Sequence, residues 1–167
     1  MRIISGTHRS RLIEFPDAEG LRPTPDRVRE TLFNWLGQEL YGRRCLDLFA
    51  GSGALGMEAA SRSADEVVMV EKSRAVYAVL KENIARLKFG NITLRCEDGL
   101  NFALRCKEKF DVIFLDPPFQ SDYLAKLMPL MAAMLAEIKS RLLLPRPVNN
   151  EETEVDDPRT ELIRRLQ

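Results

Sequence analysis

Leu46-Asp47-Leu48-Phe49-Ala50-Gly51-Ser52-Gly53-Ala54-Leu55-Gly56 runs from an apolar strand through closely spaced glycines into helix-forming residues. It fits G-x-G-x-x-G placed between a strand and a helix, the turn by which open α/β sheets bring a strand's carboxyl end to a ligand. Glycines there let backbone approach a ligand closely. Around this stretch the pattern alternates. Cys45–Phe49 reads as a strand, Ala54–Arg62 as a helix, and Glu66–Glu71 as an apolar strand closing on an acid. Ser73 is placed to cap a helix running to about Leu87. Asn91–Cys96 reads as a third strand, Gly99–Arg105 as a short helix, and Phe110–Leu115 as a fourth strand. Apolar strands separated by helices indicate a parallel sheet covered on both faces. The expected class is therefore α/β, a Rossmann-like fold with a mostly parallel central sheet.

Toward the N-terminus, Arg2–Ser5 and Arg11–Phe15 read as two short strands around the polar turn Gly6 to Ser10. A connector from Pro16 to Pro25 follows. Thr24 is then the expected N-cap, with Pro25 at the first helical position and Asp26 complementing the positive helix end. Val28, Leu32, Trp35, Leu36 and Leu40 recur at helical spacing, which predicts that they form the inward face, with Gly42 ending the helix. Beyond Asp122, Tyr123–Leu135 reads as a helix despite Pro129, Arg141–Leu144 as a short fifth strand, Asn149–Pro158 as a loop, and Thr160–Leu166 as a last helix. The expected organisation is a single domain over 1–167: an N-terminal extension with a helix (1–42), a core (43–144) and an acidic tail (145–167).

The 167 residues suffice for one domain with a sizeable core, and 45% hydrophobic with 30% charged residues is ordinary for a globular chain. Net charge is zero, so no global basic field exists, yet Arg2, His8, Arg9 and Arg11 form a small basic arm without an acid. That arm fits either a nucleic-acid contact or a solvated surface strand. Cys45, Cys96 and Cys106 lack C-x-x-C spacing and outline neither a disulfide framework nor a zinc site; Cys45 and Cys96 fall within apolar strand-like runs and are expected to be small buried hydrophobes, with a reducing cytoplasm as the setting. A single histidine excludes most histidine-dependent triads and multi-histidine metal sites. No metal is expected. Neither a secretory h-region nor an uncharged run of about 20 residues is present, so no membrane partner is expected.

Glu71, closing the second strand, is placed to accept hydrogen bonds from two ribose hydroxyls. Nicotinamide-binding folds share the glycine fingerprint, and a purely structural tight turn is a further alternative. Asp47 favours S-adenosyl-L-methionine over a dinucleotide. A carboxylate there suits a cationic ammonium, whereas a pyrophosphate would gain nothing from a nearby negative charge. Asp98, after the third strand, is placed either to accept from an adenine amino group or to serve as a turn acid.

Asp116-Pro117-Pro118-Phe119 follows the fourth strand and carries the sharpest chemical signal. The lone pair of an aromatic exocyclic amine is delocalised into its ring, so the nitrogen is a poor nucleophile. Asp116 and the Pro117 carbonyl can accept its two N–H groups and favour a tetrahedral nitrogen. Consecutive prolines stiffen that geometry before substrate arrives. Phe119 can stack on the base, worth about 1–3 kcal/mol. The base must be flipped out of any helix or packed loop to reach the site.

These residues resemble the class I S-adenosylmethionine-dependent methyltransferases with an N/D-P-P-Y/F/W motif. More narrowly, they resemble RsmD, the bacterial 16S ribosomal RNA guanine-N2 methyltransferase family. The narrower resemblance rests on Met1–Gly6, Gly20–Leu36, Leu46–Gly56, Val70-Glu71-Lys72 and Phe110–Phe119, and covers about residues 1–135. It implies methyl transfer to the N2 amine of a guanine in 16S ribosomal RNA, within a small-subunit particle, by a monomer. By the same resemblance Gly51, Gly53, Glu71 and Asp98 hold the cofactor, joined by Asp47, Phe49, Lys72 and Gly99. Arg22 and Thr24 lie over the cofactor, and Asp116, Pro117, Pro118 and Phe119 hold the guanine. The family sheet continues to seven strands, whereas the stretch after Leu135 is short, proline-broken and acidic, so the C-terminal part of the sheet is expected to be incomplete. Alternatives are a DNA adenine-N6 methyltransferase and a non-catalytic RNA-binding relative. A nicotinamide oxidoreductase is opposed by Asp47 and by the proline pair.

Overall fold

Four parallel strands position the site. The computed structural model describes residues 1–17, 21–118 and 122–135. Strands β1 (Arg44–Asp47), β2 (Glu66–Glu71), β3 (Ile92–Cys96) and β4 (Val112–Phe114) lie in the order β3-β2-β1-β4. Register sets Leu46 opposite Val68 and Ile113, and Asp47 opposite Met69 and Phe114. Five helices connect and cover them: α1 (Asp26–Leu36), α2 (Ala54–Ser61), α3 (Arg74–Leu87), α4 (Gly99–Arg105) and α5 (Tyr123–Met134).

Alternation along the strands divides the core into two layers. Cys45, Val67 and Met69 face one side, where they meet Phe33, Met57 and Leu80 from α1, α2 and α3. Leu46, Val68 and Val70 face the other, against Ala103 of α4 and Leu127 and Met131 of α5. Both faces are buried, which is why β1 and β2 read as nearly unbroken apolar runs.

Most expected elements form within a residue or two of their predicted ends. β4 is shorter than Phe110–Leu115, and Phe110 instead makes an isolated parallel bridge to Leu135. Pro129 lies inside α5. At the N-terminus a single antiparallel bridge, Arg2 to Leu12, replaces the expected strand pair. The arm is packed: Ile3 and Ile13 are buried, and the His8 ring stacks on Phe89 at 4.0 Å. Cys45 is buried as expected, but Cys96 is exposed because β3 is an edge strand. The readings of 141–144, 149–158 and 160–166 lie outside the described residues.

Helix α1 departs most from its sequence pattern. Pro25, not Thr24, occupies the N-cap, and the helix ends at Gly37 rather than Gly42. The buried residues of α1 are Arg29 and Phe33, while Val28, Trp35 and Leu36 are exposed. The reason is electrostatic. Glu58 of α2 is wholly buried and accepts from Arg29 at 3.4 Å and from Arg62 at 2.9 Å. Its two oxygens also accept the Ile4 and Ser5 N–H groups at 2.9 and 3.0 Å. A buried carboxylate with four donors sets which face of α1 turns inward. Among the described residues, no helix is long and apolar enough to cross a membrane.

Candidate cofactor and base site

Each strand delivers one acid to the same end of the sheet. Asp47 ends β1, Glu71 ends β2, Asp98 follows β3, and Asp116 follows β4. All four line a single cleft of about 810 Å³ at the strand carboxyl ends. Strand order turns back between β1 and β4, the position at which open α/β sheets bind ligands.

Glu71 Oε2 accepts the Gly51 N–H at 2.9 Å, and Oε1 accepts the Ser73 N–H at 2.7 Å. The acid therefore ties the end of β2 to the turn after β1. Each oxygen retains a second acceptor direction for a donor in the cleft. Asp47 is fully buried and its Oδ2 accepts the Gly56 N–H at 3.0 Å. Burial pushes its carboxyl up to about 7. The Gly56 N–H acts in the opposite sense, and the charges of Asp116 and Glu71 push it up further. Asp98 is the N-cap of α4: Oδ1 accepts from Leu100 N at 3.0 Å and Asn101 N at 3.2 Å. Its Oδ2 accepts from the Tyr123 hydroxyl at 2.9 Å. The turn-acid geometry is thus present, and the side chain still lines the cleft.

The glycines divide between two tasks. Gly51 (φ 53°) lines the cleft, and a Cβ there would lie 3.2 Å from Leu21 Cδ1. Gly53 is not among the lining residues. It takes φ 82° as N-cap of α2, and a Cβ would fall 2.8 Å from Leu80 Cδ2, so its bareness admits core side chains rather than a ligand. Gly99 lines the cleft beneath Phe49; a Cβ there would meet Leu48 O at 2.7 Å and the Phe49 ring at 2.9 Å.

Arg22, Thr24, Asp47, Phe49, Gly51, Glu71, Lys72, Asp98, Gly99, Asp116, Pro117 and Pro118 all converge on this cleft. Phe119 lies outside the described residues. Sequence reasoning did not single out Leu21, Ser52 or Tyr123, which also line it. Tyr123 carries no local signal, because α5 must fold back against α4 before its hydroxyl meets Asp98. Among the described residues no group of three histidine, cysteine or acidic side chains is arranged to hold a metal.

The family described as conserved hypothetical protein 95 matches residues 1–157. The chain belongs to this family, the RsmD family. It is 45% identical over 131 residues to Ribosomal RNA small subunit methyltransferase D of Escherichia coli, covering 78% of this chain and 66% of that protein. The methyltransferase of the same name from Haemophilus influenzae is 40% identical over 162 residues, 95% of this chain and 81% of its own length. A solved structure of the putative methyltransferase YhhF from Escherichia coli superposes with a TM-score of 0.75 at 44% identity, covering 81% of this chain and 75% of that one. A stretch of 37 residues, 22% of this chain, is 81% identical to Segregation and condensation protein A of Coxiella burnetii, of which it spans 14%. The chain thus spans about two thirds of the length of its Escherichia coli RsmD-family relative.

The RsmD-family cleft can be matched to S-adenosyl-L-methionine by its donor set. The carboxylates of Asp47, Glu71 and Asp98 suit a ligand bearing an ammonium, a ribose diol and an adenine amine, and they oppose a pyrophosphate. Arg22 and Lys72 line the same cleft and can meet the ligand's carboxylate. Leu48, Phe49, Ala50, Leu55 and Val70 provide apolar wall for a purine.

Proposed function

We propose that this chain transfers a methyl group from S-adenosyl-L-methionine to the exocyclic N2 amine of a guanine in 16S ribosomal RNA. The supporting observation is that Asp116, Pro117 and Pro118 open onto the cleft that also holds Gly51, Glu71 and Asp98. Acceptor and cofactor groups therefore share one space. The names of the RsmD-family relatives point to the small ribosomal subunit.

The cofactor, when bound, supplies an electrophilic methyl group. Glu71 addresses its ribose hydroxyls, Asp98 its adenine amine and Asp47 its ammonium. Asp116 and the Pro117 carbonyl accept the two N–H groups of guanine N2. This draws the nitrogen lone pair out of conjugation and leaves Asp116 placed to take the proton the nitrogen sheds. The proline pair fixes both acceptors beforehand, so little reorganisation remains at the moment of transfer.

The test is transfer of a tritiated methyl group to small subunits isolated without the modification, beside naked 16S RNA and duplex DNA. Label in guanine N2 of the RNA is the expected result, and the two RNA arms decide whether an assembled particle is required. Label confined to DNA adenine, or none in any arm, overturns the reading.

A further inference from the structure

We propose that Tyr123 is a positioning residue for the 6-aminopurine of the cofactor, acting through Asp98. The inference rests on reading the cleft as an S-adenosyl-L-methionine site. Asp98 Oδ1 already accepts two backbone N–H groups at the start of α4. Recognition of an amine in the cleft therefore falls to Oδ2, and that oxygen accepts the Tyr123 hydroxyl at 2.9 Å. A carboxylate oxygen offers two acceptor directions, so one stays available to a second donor.

Tyr123 is itself held in place. Its ring lies 5.4 Å from that of Phe49 at 52°, and Phe49 is seated over Gly99, where a Cβ would come within 2.9 Å of the ring. Phe49, Asp98, Gly99 and Tyr123 thus form one wall of the cleft. The cap fixes Asp98 from one side and the phenol from the other, leaving a carboxylate pre-organised toward a donor in the purine plane. A 6-oxopurine presents an acceptor at that place, opposite the remaining acceptor direction of Asp98 Oδ2.

A rival account is that the Tyr123–Asp98 bond merely anchors α5, whose N-cap Asp122 makes no side-chain cap bond. Calorimetry separates the two, using S-adenosylhomocysteine and S-inosylhomocysteine with wild type and Tyr123→Phe. The variant keeps the ring against Phe49 and loses the hydroxyl. The expected result is a loss of about fivefold in affinity for the adenosine ligand. Affinity for the inosine ligand stays the same. In an Asp98→Asn background, where asparagine still caps α4, Tyr123→Phe has no further effect. Equal losses for both ligands, no loss for either, or an undiminished effect beside Asp98→Asn overturns the role of Tyr123 while the cofactor site stands. A wild type that binds neither ligand, or does not distinguish them, overturns the adenine-end reading itself and the proposal with it.

Discussion

The Gly51 N–H donates to Glu71 Oε2 at 2.9 Å, so the acid closing β2 and the turn following β1 are one mechanical unit. Glu71→Ala removes more than the proposed ribose contact. It frees the Gly51 and Ser73 N–H groups together and loosens the turn that shapes the cleft. Affinity for S-adenosyl-L-methionine is expected to fall by on the order of 10- to 100-fold, about the worth of one charge-assisted bond. Glu71→Gln, which retains one acceptor, falls between. Calorimetry of the three proteins checks the order, and unchanged binding in Glu71→Ala would mean that the ribose is held elsewhere.

Asp116 stands apart from this unit. It is exposed and follows β4, so its replacement leaves the core and the Glu71–Gly51 link untouched. At pH 8, where Asp47 is largely ionised with or without its neighbour, Asp116→Ala is expected to keep cofactor affinity and to cut methyl transfer by on the order of 100- to 1000-fold, as for removal of one pre-placed polar group at a reacting centre. Single-turnover transfer and calorimetry on the same sample provide the measurement. Equal turnover in mutant and wild type would remove the role given to this carboxylate.

Asp47 supplies a pH dependence whose sign can be worked out. Its folded-state value, about 7, lies above its ordinary 3.8. The unfolded chain releases this proton first, so the contribution to stability is fully present below about 4. It is lost as pH rises toward 7, at a slope of up to about 1.4 kcal/mol per pH unit. Binding runs the other way. A ligand ammonium prefers the carboxylate, so affinity tightens as pH rises from 6 through 7. Asp47→Asn, whose amide oxygen can still accept the Gly56 N–H, should flatten both profiles and be more stable than wild type at pH 8 without ligand. Asp116→Asn, by removing a neighbouring negative charge, should shift the wild-type midpoint downward. Denaturant titrations and calorimetry across this range measure each effect, and a flat wild-type profile would refute the coupling.

The site was legible because its geometry is local. A strand end, a turn and the acid beside it are contiguous in sequence, so Asp47, Glu71, Asp98 and Asp116 could be placed at one sheet edge before any packing was known. What periodicity misread was α1, where Val28, Trp35 and Leu36 form an apolar stripe that stays exposed and Arg29 goes inward. Hydrophobic spacing carries no term for a buried partner on another helix, and Glu58 is that partner. Tyr123 carries no such signal either, its place in the cleft being set by the contact of its hydroxyl with Asp98 at the start of α4. Gly53 shows the converse: its place in the fingerprint pointed to a ligand, while the space beside it is filled by Leu80, Met57 and Met69.

Glu58 gives the sharpest stability prediction. It is wholly buried, and Arg29 and Arg62, also buried, depend on it, as do the Ile4 and Ser5 N–H groups of the N-terminal arm. Removing the carboxylate leaves the buried Arg62 guanidinium hydrogen-bonded, among the described residues, only to the neutral Gln38 side chain and that of Arg29 only to Asp26 and the Arg2 carbonyl, so Glu58→Ala is expected to lose about 3–5 kcal/mol in denaturant unfolding. Gly6→Ala attacks the same seam from the arm. Gly6 has φ 85°, and a Cβ would fall 1.9 Å from Ser61 O at the end of α2 remote from the glycine turn. The arm must lift, exposing Ile3 and Ile13. Hydrogen exchange should therefore accelerate at Ile3, Ser10 and Ile13, whose N–H groups bond across the arm, while cofactor affinity of the folded protein is retained. Loss of affinity in Gly6→Ala at full folding would show that the arm, and not only the strand ends, shapes the cleft.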